Sequence, residues 1–396
     1  MLFSSVLWLV PPAEVAQPDT LPPSSDSADA GSRALTIWSA TIDVNGDYTV
    51  AAGDELRILA GTTIRMGPGV RIYIDGKIVA QGTQLDPITV QVQSGFTWHD
   101  GFQFNASSRN RGSSMRNITF EDAQFGLTIK DSNPVIEDAY FDNVDLVGID
   151  MFDSASPVIR RSTFQDGGQD VHGSMTNWRY GIGLSVGAGS APFVDDVTFD
   201  NQITRAISYW GNSGGLLRNI NISNVGGATM NISAGVFIED SRPLIEDLNI
   251  STCDNGIYVL HRTDDVVTRP VFRRATIGDS QYTGIMLTKV DRLNFSTYMM
   301  ARFHDIEVFG TGGPNSSAPG IAFATVFLNT SGAWIENADI HDNAVNGIKL
   351  YMTDPSTTIV NATVTRSGKP LGGTNDMAGV FSRSSNNGGA SLQNLE

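Results

Sequence analysis

The sequence predicts an all-β solenoid in which one chain winds into a parallel β-helix of about 13–14 coils. Three observations predict this fold class: a strand phrase that recurs, a glycine-containing phrase that follows it, and a column of alternating charges. Glycine contributes 41 of the 396 residues, and charged residues make up only 17%. This composition is typical of β-rich proteins with many tight turns.

The first phrase consists of two apolar residues, two polar residues and a small–polar–apolar triplet. Its clearest copies are VIEDAYF at 135–141, VIRRSTF at 158–164, FVDDVTF at 193–199, LLRNINI at 216–222, LIEDLNI at 244–250, VFRRATI at 271–277, FHDIEV at 303–308 and WIENADI at 334–340. Alternation at period two predicts a short strand with one inward face. Stacking the copies predicts an inward column of Phe120, Phe141, Phe164, Phe199, Ile222, Ile250, Ile277, Val308 and Ile340.

The second phrase is Gly-Φ-x-Φ, where Φ is apolar. It begins at Gly126, Gly148, Gly181, Gly235, Gly256, Gly284, Gly320 and Gly347. Its predicted inward column is Leu127, Ile149, Ile182, Ile207, Val236, Ile257, Ile285, Ile321 and Ile348. Its predicted outward column is Thr128, Asp150, Gly183, Ser208, Phe237, Tyr258, Met286, Ala322 and Lys349, which is not an acidic catalytic row.

Part of that outward column is apolar, and we expect Phe237, Tyr258 and Met286 to form an interface. Contiguous apolar patches usually mark contacts, so an inserted loop or a partner should cover this stripe. The segments at 288–302 and 310–319 are the nearest candidates within the chain.

A third column carries charges of alternating sign. It reads Arg116, Glu137, Arg160, Asp195, Arg218, Glu246 and Arg273, followed by His304 and Glu336. Neighbouring coils lie about 4.8 Å apart, so like charges in register would repel. The alternation therefore predicts that these residues stack.

Asp and Asn also recur where the chain turns after the first strand, because bends favour these residues. They are Asp122, Asn143, Asp166, Asn201, Asn224, Asp279 and Asp342.

We expect three regions along the chain. Residues 1–33 form a clipped signal with a Pro/Ser/Asp linker, 34–104 form N-terminal capping coils, and 105–396 form the repeat coils. The last strand phrase breaks off in mid-coil, which predicts either a fragment of a longer protein or a last coil that docks on a neighbouring subunit.

Charge and cysteine content restrict the classes of partner. The net charge of −16 argues against nucleic acid or an anionic lipid surface as the main partner. The single cysteine, Cys253, excludes an intrachain disulfide. No apolar stretch is long enough to span a bilayer, so membrane insertion of this segment is not expected. We expect an extracellular or cell-surface location.

The run from Gly53 to Val90, then Trp98 and Gly101-Phe102, followed by the repeats, resembles pectate-lyase-like right-handed parallel β-helix proteins of bacterial and archaeal surfaces. The resemblance covers residues 35–396. It implies a right-handed helix, and it leaves the function open because such proteins include lyases, hydrolases, epimerases, tailspikes, adhesins and copper-site maturation proteins. The Asn-Thr-Asp, Gly-His-Gly and Arg-Ile-Lys motifs of polygalacturonase-like members are absent.

An insertion at 166–180, DGGQDVHGSMTNWRY, is the best candidate ligand site. Tryptophan combined with Asp, Asn and Arg suits sugar recognition, and inserted loops carry function on rigid scaffolds. The candidate residues are Asp166, Asp170, His172, Asn177, Trp178, Arg179 and Tyr180. The competing interpretation is a solvated loop whose tryptophan covers the side of the helix.

No catalytic residue, metal site or cofactor is predicted. Five scattered histidines and one cysteine lack metal-ligand spacing. Asp-rich bends are compatible with Ca²⁺, although the glycine-rich calcium-binding repeat is absent.

Three functions remain open. The first is a non-catalytic scaffold that binds or displays a polysaccharide or an envelope component. The second is a polysaccharide lyase, hydrolase or epimerase with its site near 166–180. The third is a protein that assembles with copies of itself into a filament or envelope.

Overall fold

The structure is a computed structural model of the chain. It describes residues 33–168, 180–227, 233–263, 268–289, 299–312, 324–329, 332–344, 346–351, 353, 356–367, 380–383 and 390–396. The chain divides into two units, Met1–Ala30 and Gly31–Glu396, and every described residue belongs to the second.

The described residues form 30 strands and one short 3₁₀ helix, Ala106–Ser108. Seventeen strands make the first sheet: β1 Leu35–Trp38, β2 Thr41–Val44, β4 Glu55–Leu59, β5 Thr63–Met66, β7 Lys77–Gln81, β8 Ile88–Val92, β10 Ser114–Glu121, β12 Val135–Asp142, β14 Val158–Gln165, β16 Phe193–Asp200, β18 Leu216–Val225, β20 Leu244–Cys253, β22 Val271–Gly278, β24 Arg302–Phe309, β26 Trp334–His341, β28 Thr358–Thr365 and β30 Ser391–Leu395. Thirteen make the second sheet: β3 Tyr48–Val50, β6 Ile72–Ile74, β9 Phe102–Phe104, β11 Phe125–Lys130, β13 Val147–Phe152, β15 Ile182–Val186, β17 Arg205–Tyr209, β19 Ala234–Glu239, β21 Asn255–His261, β23 Thr283–Lys289, β25 Ala324–Asn329, β27 Asn346–Tyr351 and β29 Val380–Arg383.

Every pairing between these strands is parallel and joins one coil to the next, which is the predicted β-helix. The first sheet bends within each coil. Asp138 has a φ of +52°. The residues on either side of it are in register with the preceding coil, Glu137 with Arg116 and Ala139 with Ile118, while Asp138 itself is left out of the strand pairing. The bend gives each coil three faces, so the core lies inside a closed ring.

Phenylalanines stack in the inward column of the first sheet as predicted. Phe120, Phe141, Phe164 and Phe199 are paired in register on successive coils and are at most 1% exposed. Their ring centroids are 5.2, 4.6 and 4.7 Å apart along the column. Burying each such ring contributes roughly 2–3 kcal/mol, which makes the column a main source of stability.

The charge column of the first sheet is also confirmed. Arg160 is in register with Glu137 on one side and with Asp195 on the other. Its Nη1 lies 3.6 Å from the Glu137 Oε1, and Arg218 lies 3.0 Å from Asp195 further along the column. The outward charges of this sheet therefore satisfy one another on successive coils.

The predicted columns of the second sheet are wrong at two coils. Ile149 is in register with Leu184 instead of Ile182, so Ser185 replaces Gly183 in the outward column. The error arose because GIGL and the overlapping GLSV both fit the phrase, and Gly181, with a φ of +57°, belongs to the turn.

The second error lies at Gly320. Residues 320–323 are outside the described ranges, and the strand in that coil is Ala324–Asn329. Val326 pairs with Ile285 and Phe327 with Met286, in place of the expected Ile321 and Ala322. Thr325 occupies the position that glycine has in other coils, so the phrase could not locate this strand.

Candidate functional site on the outward face of the second sheet

The two sheets differ in the burial of their outward side chains. On β16 of the first sheet, buried inward residues alternate with half-buried or exposed outward ones. On β15 and β17 of the second sheet, every residue is buried. The outward face of a simple solenoid is exposed to solvent, so a buried outward face distinguishes this part of the second sheet from the rest of the molecule.

The outward column of the second sheet changes from polar to apolar along the helix. From β9 to β27, the residues in register are Gln103, Thr128, Asp150, Ser185, Ser208, Phe237, Tyr258, Met286, Phe327 and Lys349. Asp150 and Ser208 are 3% and 1% exposed. The change occurs between Ser208 and Phe237, where the column passes from hydrogen-bonding groups to rings.

Arg205 lies at this change. It begins β17, is 4% exposed, and its Nη1 donates a hydrogen bond of 3.1 Å to the Ser208 Oγ. Its guanidinium carbon is 3.6 Å from the centre of the Phe237 ring on the next coil, a cation–π contact. Burial lowers the pKa of Arg205 to about 10, partly opposed by the negative charge of Glu239, so the side chain stays charged at neutral pH.

Trp210 borders the polar half of the column and is half-buried. Its indole Nε1 donates a hydrogen bond of 3.3 Å to the Ser185 Oγ on the preceding coil. A methyl group placed at Gly187 would come within 2.1 Å of the indole ring, so the ring lies directly over that glycine. Glycine at 187 therefore leaves room for a tryptophan with one exposed side.

Tyr258 and Glu239 border the apolar half. Tyr258 packs edge-on against Phe237, with ring centroids 5.2 Å apart. The Glu239 carboxylate lies 3.3 Å from Arg262 and keeps 25% of its side chain exposed. Burial raises the pKa of Glu239, although Arg262 and Arg205 oppose the shift. This border therefore places an aromatic ring next to a carboxyl group that protonates more readily than usual.

Sequence reasoning missed Arg205, Trp210 and Glu239. The sequence did contain one signal for Arg205, which is an arginine directly before Ala206-Ile207-Ser208. Its register partners on the adjacent coils, Ile182 and Ala234, are both apolar. A charged residue in a column of apolar or small neighbours indicates a position that is not purely structural.

Only two of the seven predicted site residues lie in the described ranges. Asp166 lies in the turn ladder, with a φ of +53°, and accepts hydrogen bonds from Asn201 at 2.5 Å and from Gln165 at 3.2 Å. The Tyr180 carbonyl accepts a hydrogen bond from the Thr204 hydroxyl. Asp170, His172, Asn177, Trp178 and Arg179 lie outside the described residues.

The ends of the insertion are near the candidate site. The Gly168 N–H donates to the Val144 carbonyl at 3.0 Å, and the Gly181 N–H donates to the Asp145 carbonyl at 2.9 Å. Tyr180 comes two residues before Ile182, the register partner of Arg205. A ligand role for the insertion stays a prediction.

The expected interface residues are largely buried within the chain. Phe237 and Met286 are 3% and 8% exposed, and Tyr258 is half-buried. Met286 packs with Phe327 in a small cluster separate from the main core. Most of 288–302 and 310–319, the segments expected to cover this stripe, lies outside the described residues. An interface with a partner stays a prediction.

Among the described residues, no group of three or more His, Cys, Asp or Glu side chains is arranged to hold a metal ion. No helix in the described ranges has the length and apolar character to cross a bilayer.

Comparisons with solved structures return other β-helices. The catalytic domain of a GH87 alpha-1,3-glucanase in complex with tetrasaccharides aligns with a TM-score of 0.50 and 12% identity, over 90% of this chain. An alginate lyase from Paenibacillus sp. str. FPU-7 aligns at 0.35 and 11%, over 89% of this chain and 99% of its own. Dettilon tailspike protein aligns at 0.35 and 12%, over 88% and 61%.

The present chain spans 64% of the glucanase domain. At these identities, the likeness concerns the fold alone. No curated protein matches the sequence. A family match covers most of the chain, at residues 59–224 and 205–392, and the family is described as the right handed beta helix region. The chain belongs to this family of right-handed parallel β-helix proteins.

Proposed function

We propose that the chain is an extracellular scaffold that binds a polysaccharide at the partly exposed border of the outward face of its second sheet, where Trp210, Tyr258 and Glu239 lie. The observation that carries the proposal is the combination of polar side chains and aromatic rings on that face. Sugar-binding sites commonly combine an aromatic surface with a few placed hydrogen-bonding groups. The outward charges of the first sheet are instead occupied with one another.

The border residues provide the contacts for a sugar ring. Trp210 and Tyr258 are each partly exposed, and Glu239 keeps a quarter of its side chain exposed. The Trp210 indole is held by Ser185 and supported by Gly187, so it is ordered before a ligand arrives. An ordered ring loses little conformational entropy on binding, which favours affinity.

The fold relationship supports polysaccharide as the ligand class to test first. The structurally similar glucanase domain acts on a polysaccharide and was solved with tetrasaccharides. An extracellular location accords with such a ligand.

A polysaccharide lyase or hydrolase is the second candidate. The raised pKa of Glu239 favours it, because a carboxyl group whose pKa is raised by burial is a better proton donor for general acid catalysis than an ordinary one at the same pH. Substituting Glu239→Gln should then abolish release of reducing ends or unsaturated products while the contacts of Trp210 and Tyr258 still give measurable polysaccharide binding. Turnover that is unchanged in this variant would remove Glu239 from the mechanism.

Matched tryptophan variants test the binding proposal. Trp210→Ala should weaken polysaccharide binding about 10-fold or more, since stacking and anchor contacts of this kind carry over 1 kcal/mol. Trp334→Ala is the control, because Trp334 is 36% exposed on the first sheet. Isothermal titration against a panel of oligosaccharides gives the affinities. Equal affinities for wild type and Trp210→Ala, or no binding by wild type, would contradict the proposal.

A further inference from the structure

Arg205 is a buried cation without a counter-ion in the described part of the chain. No carboxylate in those ranges forms an ion pair with it, and its Nε has no hydrogen-bond acceptor there. In the described ranges, its side chain makes one hydrogen bond to Ser208 and the contact with the Phe237 ring. Glu239, whose charge acts on it, is itself paired with Arg262.

Two arginines in the charge column of the first sheet are, in contrast, paired with carboxylates. Arg218 also lies near a phenylalanine ring, 5.1 Å from the centre of Phe193, yet it is paired with Asp195 at 3.0 Å. Arg273 is paired with Glu246 at 3.0 Å. A chain with 42 acidic residues thus pairs Arg218 and Arg273 with carboxylates and, in the described ranges, leaves the more buried Arg205 without one.

An unpaired buried charge destabilises the folded state, because the guanidinium loses its hydration and a neutral hydroxyl and a ring recover only part of it. A desolvated charge without a partner of opposite charge is a candidate contact for a charged ligand. The guanidinium fork fits the two oxygens of a carboxylate or of a sulfate ester in a bidentate arrangement.

We infer that Arg205 binds an anionic substituent, a carboxylate or a sulfate ester, on the polysaccharide held by the second sheet. The inference rests on the proposed function, since it names the chemistry of the ligand at the same site. A chain of net charge −16 can then take an acidic ligand, because the anion meets the positive charge of Arg205 beside the Phe237 ring, where solvent screening is weak.

The test measures affinity and stability together. Wild type, Arg205→Met, Arg205→Lys and the control Arg218→Met are titrated with an oligogalacturonate, a sulfated oligosaccharide and a neutral oligoglucan of similar length. We expect wild type to prefer one of the two acidic ligands, and the difference between them identifies the anion. Arg205→Met should lose that binding by about 30-fold or more, Arg205→Lys should fall between, and Arg218→Met should bind as wild type.

Arg205→Met should also melt a few degrees higher than wild type without ligand, because it removes an unpaired buried charge. Wild type that prefers the neutral oligoglucan, or Arg205→Met that binds acidic ligands normally, would overturn the inference and leave the polysaccharide proposal standing.

A thermal-shift series with glucuronate and glucose separates the two claims. If no oligosaccharide binds, but glucuronate raises the melting temperature of wild type and not of Arg205→Met, the anion site is supported and the polysaccharide proposal fails. If glucuronate has no effect and no acidic oligosaccharide binds, the anion site is rejected.

Discussion

The Arg218 Nε lies 3.0 Å from the Asp195 Oδ1, and the two residues are register partners on neighbouring coils. On its other side, Asp195 is in register with Arg160. Burial alone would raise the pKa of Asp195, but hydrogen bonds from Arg218 and Asn219 more than offset it and leave the pKa lowered. Asp195 is thus an anion between two cations, as the alternating column predicts.

Reversing the charge of Asp195 tests the register through the free energy of unfolding. Asp195→Arg places three arginines in succession and should lower the free energy of unfolding by about 1–2 kcal/mol relative to Asp195→Asn. Salt screens half-exposed charges, so the difference in unfolding free energy between the two variants should be smaller at about 1 M salt than at about 0.05 M. The Debye length falls from above about 10 Å to below it over this range. Denaturant unfolding at both ionic strengths measures this difference. A charge reversal without cost at low salt would contradict the stacking.

His99 makes the stability of the N-terminal coils depend on pH. The ring is 0% exposed, its Nδ1 accepts a hydrogen bond from the Gly101 N–H at 3.0 Å, and its Nε2 lies 3.1 Å from the Glu121 carbonyl. Burial lowers the pKa of His99 from 6.5 to about 4. The folded protein therefore holds this ring neutral at pH values where the unfolded chain protonates it.

The stability that His99 contributes is complete above pH 6.5 and is lost as the pH falls from 6.5 towards 4. At 1.36 kcal/mol per pKa unit, the loss amounts to about 3 kcal/mol. Carboxylates also titrate in this window, so the difference between wild type and His99→Gln isolates the histidine. Unfolding curves at pH 7, 5.5 and 4.5 should show wild type losing more stability than the variant. Parallel pH profiles would mean that the ring is protonated in the folded state.

Tyr209 should be more stable as phenylalanine. Its side chain is 0% exposed, and in the described part of the chain its hydroxyl has no hydrogen-bond partner. Burial raises the pKa of this phenol far above its usual range. Tyr209→Phe removes an unsatisfied group and should raise the free energy of unfolding by about 1 kcal/mol.

Tyr140→Phe is the matched control for this substitution. Tyr140 is half-buried, and its hydroxyl donates to the Gln165 Oε1 at 2.8 Å. Its loss should be neutral or cost about 0.5 kcal/mol. A destabilised Tyr209→Phe would show that the buried hydroxyl is bound, for instance by an ordered water.

The inward or outward direction of residues that alternate at period two could be predicted from the sequence. The phenylalanine column and the charge column both follow from this pattern, since a shift by one residue would turn every side chain to the other face. The bend at Asp138 could not be predicted, because the left-handed backbone occurs at Asp, Asn and Arg alike, as at Asp138, Arg161 and Asn219.

The second sheet was less predictable than the first. Leu184 was misplaced because two overlapping phrases fitted equally well, and Val326 because its coil has no glycine phrase at the strand. Arg205 was missed for a physical reason. Its significance comes from Phe237, Ser208 and Glu239 on its own and a neighbouring coil, and no pattern within a single coil contains that information.

The most direct test of a polysaccharide site on the second sheet is hydroxyl-radical footprinting with and without a bound oligosaccharide. Trp210 and Tyr258 are half-buried on that sheet, and Trp334 is 36% exposed on the other, so all three can be oxidised in the free protein. We expect the ligand to protect Trp210 and Tyr258 and to leave the oxidation of Trp334 unchanged. Protection of Trp334 with unchanged oxidation of Trp210 and Tyr258 would contradict it.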